Sequence, residues 1–156
     1  MNTYLLLKSL HILGVVLFLG NIIITGWWKV MADRTKNKQI IAFAQHQVTL
    51  TDYVFTLGGV LLVLATGIAN AMLHELDYSS IKWLAWGYWL FIASGIIWAA
   101  ILIPVQIKQA RMAKQFSEQE PIPEQYWKLG NLWIVFGTLA TLLPLANLYW
   151  MVFKPI

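Results

Sequence analysis

Apolar residues fill four long runs, at positions 4–28, 53–73, 83–107 and 129–153, each broken by only a few polar side chains. A hydrocarbon layer of about 30 Å takes roughly 20 such residues per helix, so each run predicts one membrane span. In the first run His11, Gly14, Phe18, Asn21 and Thr25 fall on one helical face, while leucine, isoleucine and valine cover most of the rest. The second run repeats the pattern with Asp52, Thr56, Gly59, Val63, Thr66, Asn70 and His74. The third offers Gly87, Ser94 and Gly95, and the fourth Gly130, Gly137, Thr141, Pro144 and Asn147. Helices in lipid turn small and polar residues toward one another. The pattern therefore predicts an all-α, four-helix transmembrane bundle of up-down topology, forming a single integral membrane domain over residues 1–156.

The connections carry their own signals. In residues 35–48, Ile40, Ile41, Phe43, Ala44 and Val48 form an apolar stripe opposite Gln39, Gln45 and Gln47. This predicts a short interfacial helix between the first two spans, or an extension of the second. Asp52 is expected to cap the second helix, where a carboxylate meets the helix dipole favourably, with Thr49 and Thr51 as rival caps. Residues 118–124, with Pro121 and Pro123, predict a turn. Pro104 and Pro144 are expected to kink or end their helices locally and to free carbonyls that can line a cavity.

Charge then sets an orientation. Eight of the eleven Lys and Arg residues lie in two connections: Lys29, Arg34, Lys36 and Lys38, then Lys108, Arg111, Lys114 and Lys128. The middle connection holds Glu75 and Asp77 against one lysine, so the positive-inside rule places the two basic loops in the cytoplasm and both termini outside. Lys8 and Lys154 run against the trend and are expected to snorkel to the interface. Aromatic belts agree, with Trp27, Trp28, Tyr53, Tyr126 and Trp127 at the inner boundary and Tyr4, Tyr78, Trp83, Trp86, Tyr149 and Trp150 at the outer. The first run lacks a basic leader and a small-residue cleavage site, and is read as a retained helix. At 59% hydrophobic residues over 156 positions there is no room for a separate soluble domain. The net charge of +4 comes without a basic run or nucleic-acid motif, so the expected partners are the lipid bilayer and a second copy or another membrane subunit. The absence of cysteine excludes disulfides, thiolate metal sites and cysteine nucleophiles. Ser9 and Ser94 have no base at a useful spacing, which argues against a hydrolase.

His11 stands apart, because an ionisable group within the hydrocarbon is costly and points to function or a buried partner. It lies about 10 Å below the outer surface, and Asn70 and Asn147 approach the same leaflet with His74 at the mouth. These four define a candidate outer site, and a neutral imidazole there suits haem iron or proton transfer. The plainer reading is a core histidine bonded to a neighbour. His46 belongs to the opposite side.

The strings YLLLKSLHILGVVLFLGNIIITGWWK, FAQHQVTLTDYVFTLGGVLLVL, SGIIWAAILIPVQIKQARMAKQF and LATLLPLANLYWMVFKPI resemble a family of bacterial integral membrane proteins known as domain of unknown function 2269. That resemblance implies a four-helix fold in the bacterial inner membrane and no particular activity. A fainter likeness, carried by Leu10-His11 and Lys154-Pro155, extends to HemJ-type protoporphyrinogen oxidases and copper-resistance D membrane domains. It implies haem b with His11 as axial ligand. The lysine that follows a Trp-Leu pair in the HemJ type is missing, since Trp83-Leu84 is followed by Ala85, Trp86 and Gly87. His74 would then be the second candidate ligand. Two functions are expected from these readings. One is a b-type haem redox protein using His11. The other is a non-redox permease or assembly subunit whose stripe of Asn21, Asp52, Thr56 and Thr66 lines a polar path.

Overall fold

The computed structural model describes residues 2–77 and 80–155, and Tyr78 of the expected outer belt lies outside them. It is all-helical over the described residues, with four helices long and apolar enough to cross a membrane: α1 (Thr3–Thr35), α2 (Lys38–Leu73), α3 (Lys82–Lys114) and α4 (Glu124–Phe153). Helices of 30 to 36 residues rise about 45–54 Å at 1.5 Å per residue. Each therefore exceeds the hydrocarbon layer, and the surplus lies mostly at the end that carries Lys36, Lys38, Arg111 and Lys114, called the basic end below.

That surplus decides one expectation and corrects another. Of the two alternatives for residues 35–48 the extension of the second span is the one that forms, and no separate interfacial helix does, because Lys38–Thr51 runs on into the second span as one α2. Its start is fixed by Asn37, whose side chain accepts the backbone N–H groups of Gln39 and Ile40 after Lys36 has ended α1 in a left-handed conformation (φ 54°). Its buried face is Ile41, Gln45 and Val48, while Ile40 and Phe43 point outward, so Gln45 belongs to the interior and not to a solvated side. Asp52 is consequently no cap. It lies fourteen residues into the helix, 5% exposed, and Thr49 and Thr51 bond back to Gln45 and Gln47 carbonyls within it.

The helices pair in opposite directions. Between α1 and α2, His11 meets Thr66 while Asn21 meets Asp52. Between α3 and α4, Asn147 donates to the Gly87 carbonyl and Ser94 to the Ala140 carbonyl. The second of these bonds follows from Pro144, which has no N–H to give the carbonyl four residues back, so Ala140 is free to accept across helices. Pro144 thus sits buried inside a continuous α4 without ending it. The residues expected on the inner face of α1, Gly14, Phe18, Asn21 and Thr25, are buried, and the face continues to Lys29 and Ala32.

Gly14 and Gly59 bring the backbones of α1 and α2 together. A Cβ on Gly59 would lie 2.7 Å from the Gly14 carbonyl oxygen and 2.7 Å from the Phe18 nitrogen. Because both obstacles are backbone, Gly59→Ala is expected to force the helices apart and cost about 1–3 kcal/mol. A fall in the midpoint of thermal unfolding in detergent checks this. An unchanged midpoint would mean that the α1–α2 contact is looser than described.

Candidate functional site

Two stretches depart from α-helical hydrogen bonding. Asp52–Thr56 in α2 and Trp98–Leu102 in α3 are single π-helical turns, in which the Leu57 N–H reaches back to Asp52 and the Ile103 N–H to Trp98. Such turns insert an extra residue and are frequent at functional sites. In α3 the turn immediately precedes Pro104, which supplies no donor to hold it tight. Both turns border one cavity of about 670 Å³, which takes wall residues from all four helices: Phe18, Ile22 and Thr25 from α1, Asp52, Thr56 and Val60 from α2, Phe91, Ser94, Gly95 and Trp98 from α3, and Trp133, Gly137 and Thr141 from α4. The outward-facing residues Ile23, Ile24 and Trp27 of α1 and Ile134 and Leu142 of α4 also border it. The cavity therefore opens sideways between α1 and α4, onto the surface that lipid covers. Its size falls in the range of small-molecule sites, which are mainly apolar with a few placed polar groups.

The polar groups lie toward the basic end. Asp52 Oδ1 accepts from Asn21 Nδ2 at 3.0 Å and from the Thr56 hydroxyl at 2.9 Å. Asn21 Nδ2 also lies 2.9 Å from Thr56 Oγ1, which closes a three-membered network between α1 and α2. The Trp98 indole and the Gln106 amide face the same carboxylate but fall short of good hydrogen-bond geometry.

Below this floor the bundle is closed by a layer that the sequence did not reveal. Lys29 is 1% exposed, with Nζ 2.8 Å from Asp33 Oδ2 and 5.3 and 5.5 Å from the ring centres of Tyr126 and Trp133. The Tyr126 hydroxyl donates to Asp33 Oδ1 at 2.7 Å, tying α4 to α1. Gln45, Gln106 and Gln109 complete the layer, all at most 1% exposed. Gln45 donates to the Gln106 carbonyl, Gln109 to the Tyr126 carbonyl, and Trp133 Nε1 to Gln106 Oε1. Still without a partner within the protein are Gln45 Oε1, Gln106 Nε2, Gln109 Oε1 and Trp98 Nε1. A buried group left dry costs about 1–3 kcal/mol. The spacing of Lys29, eight residues after Asn21 on the buried side of α1, is the signal for this layer in the sequence, but the preceding Trp27-Trp28 pair marks an inner interface at the same place. Tyr126, expected at the inner boundary, is fully buried.

The four residues of the expected outer site do not share one set of contacts. His11 Nδ1 lies 3.0 Å from Thr66 Oγ1, and the ring packs on Gly67, where a Cβ would be 3.3 Å from His11 Cε1. His74 is exposed at the end of α2, edge-on to Tyr4 at 4.8 Å. Asn147 bonds to Gly87 in the other helix pair, and Asn70 Oδ1 has no partner. His46 is exposed at the basic end. Among the described residues no group of three or more His, Asp or Glu side chains is arranged to hold a metal ion.

Four apolar spans around a laterally open cavity define a polytopic integral membrane protein. The chain belongs to the family described as predicted integral membrane protein (DUF2269), which matches residues 5–155. No curated protein and no solved structure matches it.

Proposed function

We propose that this protein is a non-redox membrane protein that takes a lipophilic small molecule from the bilayer into the cavity between α1 and α4, as a binding protein or permease. The observation that carries this reading is the cavity itself. It is open on its lipid side and apolar over most of its wall, with Asp52 and Thr56 at the end nearest the basic residues. The six basic residues Lys36, Lys38, Lys108, Arg111, Lys114 and Lys128 favour a cytoplasmic basic end and outer termini in a bacterial inner membrane. The cavity then lies toward the inner leaflet. Gly20 and Gly58, open on their outward sides, offer a surface on which a second copy would pack.

The haem reading draws less from the geometry. His11 has one ring nitrogen beside Thr66 and lies in the close α1–α2 contact, and the cavity wall contains no histidine.

Gly95 provides the test. It lines the cavity, and a Cβ placed on it meets nothing within 4 Å, so Gly95→Phe fills the space without disturbing packing. In nanodiscs, a fatty alcohol carrying a diazirine is expected to crosslink to cavity residues such as Ser94, Trp98 and Thr141 in preference to Met72 or Val152. Gly95→Phe should remove that preference at unchanged thermal stability. Crosslinks spread evenly over the outer surface, or undiminished in the variant, would overturn the proposal.

A further inference from the structure

The closing layer at the basic end contains more polar chemistry than packing requires. Its groups form two levels. The level beside the cavity holds Asp52 from α2, Gln106 from α3 and Trp133 from α4. The level nearer the basic end holds Gln45 from α2, Gln109 from α3, Tyr126 from α4 and the Lys29–Asp33 pair from α1. Gln45 and Asp52 are seven residues apart on α2, as are Tyr126 and Trp133 on α4, a rise of about 10 Å, while Gln106 and Gln109 are three residues apart on α3 and Gln45 donates to the Gln106 carbonyl, so the two levels touch there. The unpartnered atoms of the layer are two acceptors, Gln45 Oε1 and Gln109 Oε1, and one donor, Gln106 Nε2, while the Trp98 indole, also unpartnered, faces Asp52 from the cavity side. The three glutamines are fully buried.

Unpartnered acceptors and donors in a buried polar layer are the groups that bound water satisfies, at two to four bonds per molecule. We infer that this layer holds a short file of bound water that connects Asp52, at the floor of the cavity, with Asp33 at the basic end, and that it passes protons between them. In that path a proton enters at Asp33, whose side chain is 15% exposed and bonded to both Lys29 and the Tyr126 hydroxyl. It moves as hydronium exchange along water held by Gln109, Gln45 and Gln106, and adds to an oxygen of the Asp52 carboxylate; discharge runs by the reverse steps. The charged and titratable groups facing the path are Lys29 and Asp33 from α1, Asp52 from α2 and Tyr126 from α4. From α3 only the amides and the Trp98 indole face it. The lysine stands at the entrance, paired, and does not neutralise Asp52 directly. The function inferred is proton access to the cavity floor from one side of the membrane only, and it stands whether or not the cavity takes a lipophilic ligand.

Two measurements on the intact protein in nanodiscs test it. Radiolytic hydroxyl labelling, in which bound water oxidises the side chains it touches, should modify Tyr126 and Trp133 despite their burial. Infrared spectra should show a carboxyl signal that disappears in Asp52→Asn and shifts promptly on transfer to D₂O. Gln106→Leu and Gln109→Leu should slow that shift by an order of magnitude or more, whereas Gln39→Leu, exposed at the basic end, should leave it unchanged. Unlabelled Tyr126 and Trp133 in the wild-type protein would overturn the proposal without recourse to any variant. So would exchange at Asp52 that is equally fast in the Gln106 and Gln109 variants, or slowed as much by Gln39→Leu.

Discussion

Replacing Lys29 with methionine is expected to destabilise the bundle by about 3 kcal/mol, the lower end of the range for breaking a buried ion pair. The methionine fills the space between Tyr126 and Trp133, so the loss is electrostatic: Asp33 keeps the Tyr126 hydroxyl but loses its cation. The low end applies because Asp33 retains 15% exposure while Lys29 has 1%. Combining Lys29→Met with Asp33→Asn should restore most of the stability, since the amide oxygen still accepts from Tyr126 and no charge is stranded. Equilibrium unfolding in mixed micelles, followed by helical circular dichroism, reads both values. A single variant as stable as the wild type would show that Lys29 reaches solvent and that the layer does not close the bundle.

Asp52→Ala is expected to have the next largest effect, about 2 kcal/mol. It removes the acceptor for Asn21 and Thr56, and hydrogen bonds to a charged group contribute about 1.5–3 kcal/mol in soluble proteins. Interhelical bonds in membranes average only about 0.6 kcal/mol, with a maximum near 1.7, which sets the estimate toward the lower figure for each bond. Asp52→Asn is expected to stay close to wild-type stability, because both donors converge on Oδ1 and an amide oxygen in that place accepts both. The same unfolding measurement separates the two variants. Equal loss in both would assign the stabilisation to the carboxylate charge and not to the network.

The membrane character, the number of spans and the inner faces of α1 and α2 were legible because lipid imposes a simple rule: apolar outside, small and polar between helices. Gly14, Asn21, Thr25, Thr56 and Thr66 follow it and are buried or nearly so. The rule fails where helices leave the hydrocarbon. Beyond Trp28 the periodicity of α1 continues into Lys29, and beyond Leu102 that of α3 continues into Gln106 and Gln109, but polarity there looks the same for a solvated loop and for a buried layer. Only the arrival of Tyr126 and Gln45 from distant segments decides between them. The stripe over residues 38–51 misled for the same reason: its apolar residues were grouped on one face, when the packed face is Ile41, Gln45 and Val48. The π-helical turns were not legible, and of the cavity wall only Asp52, Thr56 and Pro144 were, since the rest depends on how α2 and α3 separate around Asp52 and Trp98.

The proposed entry of lipid-soluble molecules into the bundle from the side is tested most directly by a spin label on the cavity wall. Because the chain has no cysteine, one introduced at Gly95 carries a nitroxide at a single defined position on the cavity wall. In nanodiscs the label is predicted to be mobile and to collide freely with molecular oxygen, which partitions into lipid, while a water-soluble nickel chelate fails to reach it. An immobile label that neither reagent reaches would contradict the cavity, and one relaxed mainly by the chelate would contradict its opening toward lipid.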